Sequence, residues 1–457
     1  MSASGAVALS QLAAIAGESN VISDPAQLAV YEIDGKAPSA AVRPGSSEEV
    51  AEIVRCALRE KLALVPVGAR TKLGVGMPPR RYELALDMTR MGRVVAYDPG
   101  DLTLGVEAGI PLRRIESTLA EHRQFLPLAV PFMDRATAGG TIASGVDSPL
   151  RQSYGTARDF VLGVEFVTGD GTAAKSGGRV VKNVAGYDIH KLMIGSLGTL
   201  GVITRINFRT FPLPRTTRTF VAVFRSAQGV CEFRNALAQS VLRPRTLEIL
   251  ADSDSGTSEL DRRTKLPLEN GSWAAVVSFA GDEQVLARDG REIEALAKRG
   301  DNGSFESLVD LDAEAGENAA RFVAGFPAEI LKRTPSAAIF KISVLPTEIA
   351  ELASSIQSIR MPWTVMVRGL GVAYLALLPP DGNPESLRRL KQECARVFGL
   401  AGRPPWRHVT LPWCPTTLKG EIDVWGAPPA DFALMKKLKA VFDPGGILGP
   451  GRFMGGI

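Results

Sequence analysis

Between Gly177 and Thr204 the chain reads GGRVVKNVAGYDIHKLMIGSLGTLGVIT, and six glycines interrupt apolar positions that would otherwise continue a strand or a helix. Glycine lets a backbone turn through positive φ, or approach a ligand that a Cβ would hold away. Two clusters do this, Val184-Ala185-Gly186-Tyr187 and Gly195 to Gly201. Between them, Asp188 is expected to cap a short helix holding Leu192, Met193 and Ile194. After Gly201 strict alternation sets in. Val202, Thr204, Ile206 and Phe208 fall on one face and Ile203, Arg205, Asn207 and Arg209 on the other, which predicts a strand. The stretch reads either as a binding surface or as a glycine-rich connection inside an ordinary α+β domain.

Other segments favour the binding surface. Ser46 to Lys61 carries a capping-box pattern, Ser46 with Glu49, and one apolar stripe of Val50, Ile53, Val54, Ala57 and Leu58, so it predicts a helix. A buried strand, residues 62–67, follows and runs into the loop Gly68-Ala69-Arg70-Thr71-Lys72-Leu73-Gly74-Val75-Gly76. Consecutive amides with a hydroxyl and two cations suit an anion. The GxxxxGK[ST] and GxGxxG spacings are both missing. Ala138-Gly139-Gly140-Thr141-Ile142-Ala143-Ser144-Gly145 is a further cluster, whose small side chains let a flat ring or a pyrophosphate lie against the backbone. The tail, Asp443-Pro444-Gly445-Gly446-Ile447-Leu448-Gly449-Pro450-Gly451-Arg452, is a rigid turn sequence that ends either at a ligand or as a surface cap.

At 457 residues two domains are the expectation, with a boundary at Pro212 and Pro214. Strands are expected near 219–225, 246–251, 273–279, 337–345, 363–368 and 372–378. Helices are expected near 226–241, 283–299, 346–358 and 384–398, giving two split βαβ halves in one antiparallel sheet with helices on one face. Residues 252–272 and 300–318 read as loops, and a last helix runs from about Pro429 to Phe442. The 53 Lys and Arg against 49 Asp and Glu are dispersed, so no nucleic-acid footprint exists. No apolar run reaches the ~18 residues that span a bilayer, and the chain reads as cytoplasmic. Four cysteines without a CxxC, Cys56, Cys231, Cys394 and Cys414, argue against a zinc ribbon or an iron–sulfur cluster held by this chain alone.

Taken together, residues 66–74, AGGTIASG, GYDIHKLMIGSLGTLGVIT and DPGGILGPGR resemble the FAD-linked oxidases with a vanillyl-alcohol-oxidase-type (PCMH-type) flavin domain. Within that family the KNVAGYD segment and the GRFMGGI ending are similar to the FAD-binding subunits of bacterial glycolate oxidases. The resemblance implies an α+β fold: a two-subdomain FAD-binding domain over 1–214, an α+β cap domain with a ferredoxin-like antiparallel sheet over 215–428, and a tail over 429–457 returning to the flavin domain. It implies FAD as cofactor. Pro66, Val67, Gly68, Ala69, Arg70, Thr71 and Lys72 would form the first pyrophosphate loop. Pro131, Ala138, Gly139, Gly140, Thr141, Ser144 and Gly145 would line the phosphates and the ribityl chain. Tyr154-Gly155 stands at the family's YG, with Asp159 behind it. Gly201, Val202 and Ile203 would meet the adenine end through their backbone, and Arg452 in the tail would approach the flavin ring.

Two departures from the family matter. Gly449-Pro450-Gly451 stands where the family has NPG, and the HxGDGNxH-type segment that holds metal and substrate in hydroxy-acid dehydrogenases does not occur. The only histidines are His122, His190 and His408. The resemblance therefore implies a non-autonomous subunit of a glycolate dehydrogenase, working on a small 2-hydroxy acid beside a homologous catalytic flavoprotein and an iron–sulfur subunit. Exposed Trp363, Trp406, Trp413 and Trp425 are expected docking anchors, and peripheral membrane attachment would come through partners. The alternatives are a self-sufficient FAD enzyme acting on another alcohol or hydroxy acid, with Arg368 or Arg407 clamping a carboxylate and Tyr374 aiding proton removal, and an assembly subunit with a non-catalytic flavin fold.

Overall fold

The computed structural model describes residues 3–179, 186–253, 271–299 and 303–457. The chain divides into two compact units, residues 1–147, 156–213 and 427–457 in the first and residues 148–155 and 214–426 in the second.

The first unit contains two sheets with a core under each. Helix α1 (Ala3–Ala16) leads to strands β1 (Val21–Ile22) and β2 (Ala40–Val42), helix α2 (Ser47–Arg59), and strands β3 (Leu64–Val67) and β4 (Leu84–Asp87). The order is β1-β2-β4-β3, with β2 and β3 both parallel to β4 and β1 antiparallel at the edge. Helix α2 is the crossover that this parallel pairing needs. It starts where expected: Ser46 Oγ accepts from the Glu49 amide, while the Glu49 carboxylate reaches back to the Gly45 amide. Its stripe of Val50, Ile53, Val54 and Ala57 is fully buried against Val42, Leu64 and Leu86.

The second sheet of this unit is antiparallel, in the order β5 (Val94–Asp98), β6 (Thr103–Glu107), β10 (Val202–Arg209), β8 (Val161–Val167), β9 (Ala173–Gly177). A two-stranded ribbon, β7 (Gln124–Phe125) with β11 (Phe211–Pro212), lies beside it. Helices α3 (Leu112–Ala120) and α4 (Ala138–Ser144) contribute Ile115, Leu119, Ala138 and Ile142 to its core, with Ile206, Phe208, Val164 and Phe166 from the strands. Val184 and Ala185 of the first Gly177–Thr204 cluster fall outside the described residues. Helix α5 (His190–Met193) is a single turn without the expected Asp188 cap, because the Asp188 carboxylate binds the Lys191 ammonium at 2.6 Å instead.

The second unit is built on an eight-stranded antiparallel sheet. Its order is β15 (Phe305–Leu311), β12 (Thr216–Phe224), β14 (Trp273–Gly281), β13 (Thr246–Asp252), β17 (Trp363–Arg368), β18 (Val372–Leu377), β16 (Ala338–Ser343), β19 (His408–Trp413). Helices α6 (Ala227–Gln239), α7 (Glu283–Arg299), α9 (Ile349–Ile356) and α10 (Pro384–Leu400) make each half a βαββαβ unit, and the halves meet through β13 and β17. The ferredoxin-like expectation holds twice over.

Three expectations fail in this unit. Residues 303–318 are not loop: they contain β15 and the start of α8 (Ala313–Arg333), a 21-residue helix capped by Asp312. Helices do not share one face. A Cβ on Gly316 of α8 would meet Thr219, while one on Gly290 of α7 would meet the ring of Phe220, the next residue of β12, whose side chain points the other way. Trp363, Trp406 and Trp413 are buried and serve the unit's own packing, Trp413 lying 6.3 Å from the Tyr374 ring; Trp425 is half-buried.

Candidate functional site

Four distant stretches of the first unit converge on one cleft of about 70 Å³, lined by Val65, Pro66, Gly68 to Leu73, Thr137, Gly140, Ala143, Ser144, Leu197 and Arg452. Three of these side chains are cationic and none is acidic. The first wall is the loop leaving β3. Among the described residues, the amides of Gly68, Ala69, Arg70, Thr71 and Lys72 donate no hydrogen bond. Arg70 adopts φ +63°, its guanidinium 5.3 Å from the centre of the Tyr31 ring and 3.5 Å from Asp87 Oδ2. Tyr31 donates to the same oxygen at 2.7 Å, and burial first, then Asp87, push its pKa up to about 12. Lys72 donates to Thr71 Oγ1 at 3.3 Å; loss of hydration pulls its pKa down to about 8.

The floor is α4. Thr137 caps it, its Oγ1 accepting from the Gly140 amide at 3.3 Å. Glycine is needed where the loop meets the start of this helix and where the helix meets the core. A Cβ on Gly68 would lie 2.2 Å from Thr137 Oγ1, and one on Gly139 would lie 2.7 Å from the Ala108 Cβ. Thr141 Oγ1 is buried and has no partner among the described residues. The second wall is the loop 195–199. The amides of Gly195 and Leu197 donate to the Ile142 and Ala143 carbonyls at the end of α4, and Gly198, at φ +73°, packs on the Pro66 ring.

Arg452 closes the cleft from the tail. Its guanidinium donates to the Leu73 and Val75 carbonyls, each at 2.7 Å, and burial lowers its pKa to about 10.

Of the residues expected at the cofactor, Pro66, Gly68, Ala69, Arg70, Thr71, Lys72, Gly140, Ser144 and Arg452 line this cleft. Val67, Ala138, Gly139 and Thr141 lie buried beside it, and Gly145 ends α4 in the left-handed region. Val202 and Ile203 start β10 with their side chains in the two cores, and Gly201 packs against Phe166 and the Val167 carbonyl. Pro131 is buried away from the cleft lining. Tyr154 and Gly155 fall in the second unit, and Asp159 accepts from the Thr156 amide at 2.7 Å in a capping box. Sequence reasoning missed Thr137 and Leu197. Thr137 carried a signal, a threonine three residues ahead of Gly140; Leu197, at φ +52°, carried none beyond its flanking glycines.

The histidines do not assemble a site. His122 packs edge-on to Tyr97 at 5.3 Å, His190 is buried against Ser176 Oγ at 3.1 Å, and His408 starts an edge strand of the other unit. Among the described residues no group of acidic, histidine or cysteine side chains is placed to hold a metal ion.

The donor set therefore fits a bound anion such as a pyrophosphate. A family model described as "FAD binding domain" matches residues 38–177, and one described as "FAD linked oxidases, C-terminal domain" matches 213–362 and 426–453. The chain is 27% identical to glycolate oxidase subunit GlcD of Bacillus subtilis (strain 168), over 97% of this chain and 95% of that protein. It is 35% identical to glycolate oxidase subunit GlcE of Escherichia coli (strain K12), over 53% of this chain and 66% of that one. Among solved structures, p-cresol methylhydroxylase shares the fold with a TM-score of 0.74 at 17% identity, covering 99% of this chain and 97% of that one.

Proposed function

The chain belongs to the FAD-linked oxidase family and is an FAD-dependent oxidoreductase; from that premise we propose that it is the FAD-binding subunit of a complex that oxidises a small 2-hydroxy acid, glycolate to glyoxylate. The observation that carries the reading is the cleft: open amides at 68–72, the cations of Arg70, Lys72 and Arg452, and no carboxylate in the lining. When bound, FAD supplies two-electron redox chemistry. The chain's residues hold the cofactor's phosphates through amides and cations, while Gly68 and Gly140 let its backbone come close.

The partners in this reading are a homologous flavoprotein bearing the hydroxy-acid site and an iron–sulfur protein. Two relatives named as glycolate oxidase subunits support it. So does the scattering of the three histidines, which leaves this chain without the paired imidazoles of a hydroxy-acid site. The second unit supports it as well, since the arginines a self-sufficient enzyme would aim at a carboxylate are engaged. Arg368 pairs with Glu248 at 3.1 Å, both buried, and Arg407 Nε donates to Glu348 at 2.8 Å. No helix among the described residues is long and apolar enough to cross a membrane, and we place the subunit in the cytoplasm, held at the membrane, if at all, by its partners.

The test is to load the isolated chain with FAD and assay glycolate and D-lactate with an artificial electron acceptor, alone and with co-expressed partners. The subunit reading expects turnover only in the complex. Turnover by the isolated chain at the rate of the complex would refute it.

A further inference from the structure

Helix α11 (Phe432–Phe442) carries a buried ion pair that lies outside the cleft yet touches the segments forming it. Asp443, whose side chain is wholly buried, accepts from the Ile447 amide through Oδ1 at 3.1 Å and from the Leu448 amide through Oδ2 at 2.9 Å. The Lys439 ammonium donates to that carboxylate at 2.6 Å, to the Leu448 carbonyl at 2.8 Å and to the Thr199 carbonyl at 2.8 Å. All three of its protons are thereby committed. Thr199 belongs to the loop that places Leu197 in one wall. Residues 447–449 extend the first sheet beside β3: the Leu64 amide donates to Ile447 O and the Gly449 amide to Leu64 O, each at 2.8 Å. Three residues on, Arg452 grips the carbonyls of Leu73 and Val75 in the other wall.

We propose that Lys439 and Asp443 are positioning residues that latch the tail to loop 195–199 and so fix the spacing between the two walls that receive FAD. A hydrophobic pair would fill the same volume, but it would leave the Ile447 and Leu448 amides and the Thr199 carbonyl without partners, and it would not fix their direction. The latch differs from the cleft cations in kind. Its charges neutralise each other and every donor has a protein acceptor, so its product is geometry rather than attraction for an anion.

The inference rests on the cleft being the FAD site, and the experiment separates the two claims. FAD is titrated into flavin-free wild type, Lys439→Met and Lys439→Gln, which keeps an N–H donor where the methionine variant fails to fold. Leu237→Ala, in the core of the second unit, is the destabilised control. Each melting temperature is taken with and without FAD, and amide exchange is followed at Leu197 and Val75 in flavin-free protein. The latch predicts a dissociation constant raised about tenfold in Lys439→Met, an energy of ~1.4 kcal/mol. It also predicts a smaller melting increment from FAD, faster exchange at both amides, and intermediate values for Lys439→Gln. Leu237→Ala should melt earlier with its dissociation constant and increment unchanged. Equal FAD affinity in wild type and Lys439→Met, with the variant merely melting earlier or not changed at all, overturns the latch and leaves the FAD reading standing. A wild type that binds no FAD overturns the cleft reading and the latch with it, whatever the exchange rates do.

Discussion

Gly68→Ala tests whether the loop and the helix floor are as tightly fitted as the structure shows. The added Cβ would lie 2.2 Å from Thr137 Oγ1, where ordinary contacts need about 3.4 Å or more, so one partner must retreat by roughly an ångström. The cheapest retreat turns the threonine hydroxyl away from the Gly140 amide, which removes the cap of α4. A lost Ser or Thr cap costs about 1 kcal/mol, and the displaced rotamer adds about 1 more. For a unit of some two hundred residues, ~2 kcal/mol lowers the melting temperature by roughly 4–8 °C. Thr137→Ala alone removes the cap without any clash and should cost about 1 kcal/mol. In the double variant there is no hydroxyl left to displace, so its stability should match Thr137→Ala, a coupling of about 2 kcal/mol between the sites. The assay is the thermal transition of the flavin-free protein for all four forms. Additive losses, or a Gly68→Ala protein as stable as wild type, would show that the loop does not sit against Thr137 and would undo the geometry assigned to the cleft.

Lys72 has its pKa lowered to about 8 in the flavin-free cleft, so a phosphate that prefers the ammonium should bind best below that pH. FAD affinity should fall as pH rises through ~8, and Lys72→Met should weaken binding and flatten the profile; a flat wild-type titration between pH 7 and 9.5 would count against Lys72 as a phosphate partner. Because that pKa lies below the unfolded value, the unfolded chain binds more protons between about 8 and 10.4, and this group makes the flavin-free fold gain stability with rising pH in that window. Gly201→Val should fail as a fold rather than as a cofactor site, since its Cβ would press on the Phe166 ring at 3.0 Å and the Val167 carbonyl at 3.1 Å; soluble, normally melting protein would contradict this packing. No histidine, cysteine or tyrosine lines the cleft, so acid precipitation should release the flavin into the supernatant, and a yellow pellet would mean a covalent tether.

What was legible in the sequence follows from the range of the interactions involved. Helix α2 announced itself because its cap, Ser46 with Glu49, and its stripe lie within one window. The alternation from Val202 to Phe208 was equally local, and so was the restart of the strand–helix pattern near Ala337 that doubles the ferredoxin-like half. Strand β15 was hidden because FESLVDL is an edge strand with mostly half-exposed side chains, and its polar residues resemble a loop. Asp188 illustrates a local rule losing to another local partner, Lys191. The tryptophans show that composition does not report exposure: Trp363 and Trp413 sit at strand ends inside the packing of the second unit. The cleft was legible as a set of motifs but not as a shape, since Gly198 on Pro66 and Arg452 on Leu73 join positions more than 130 residues apart.

The chain's treatment of its cations supports the proposal that the loop after β3 receives an anion. Burying a charge is tolerated when a partner of opposite sign is buried with it, and much of this chain follows that rule. Arg368 has Glu248 and Lys439 has Asp443, so each of these buried or largely buried positive charges is matched by a carboxylate at or near contact distance. In the cleft the rule is relaxed. Lys72 has a hydroxyl rather than a carboxylate beside it, Arg452 donates to two carbonyls with the charge of Asp34 acting on it, and Arg70 lies 3.5 Å from Asp87 while leaning on a ring. Burial lowers the pKa of Lys72 and Arg452, as it does that of Lys439, so their positive charge is held partly dehydrated. An anion entering the cleft relieves that cost in proportion to its charge, which a pyrophosphate does better than a single carboxylate, and the five open amides of the loop direct it to the backbone. At Arg368 or Arg407 an incoming carboxylate would first have to displace a glutamate already in place, which speaks against either as a clamp for a substrate acid.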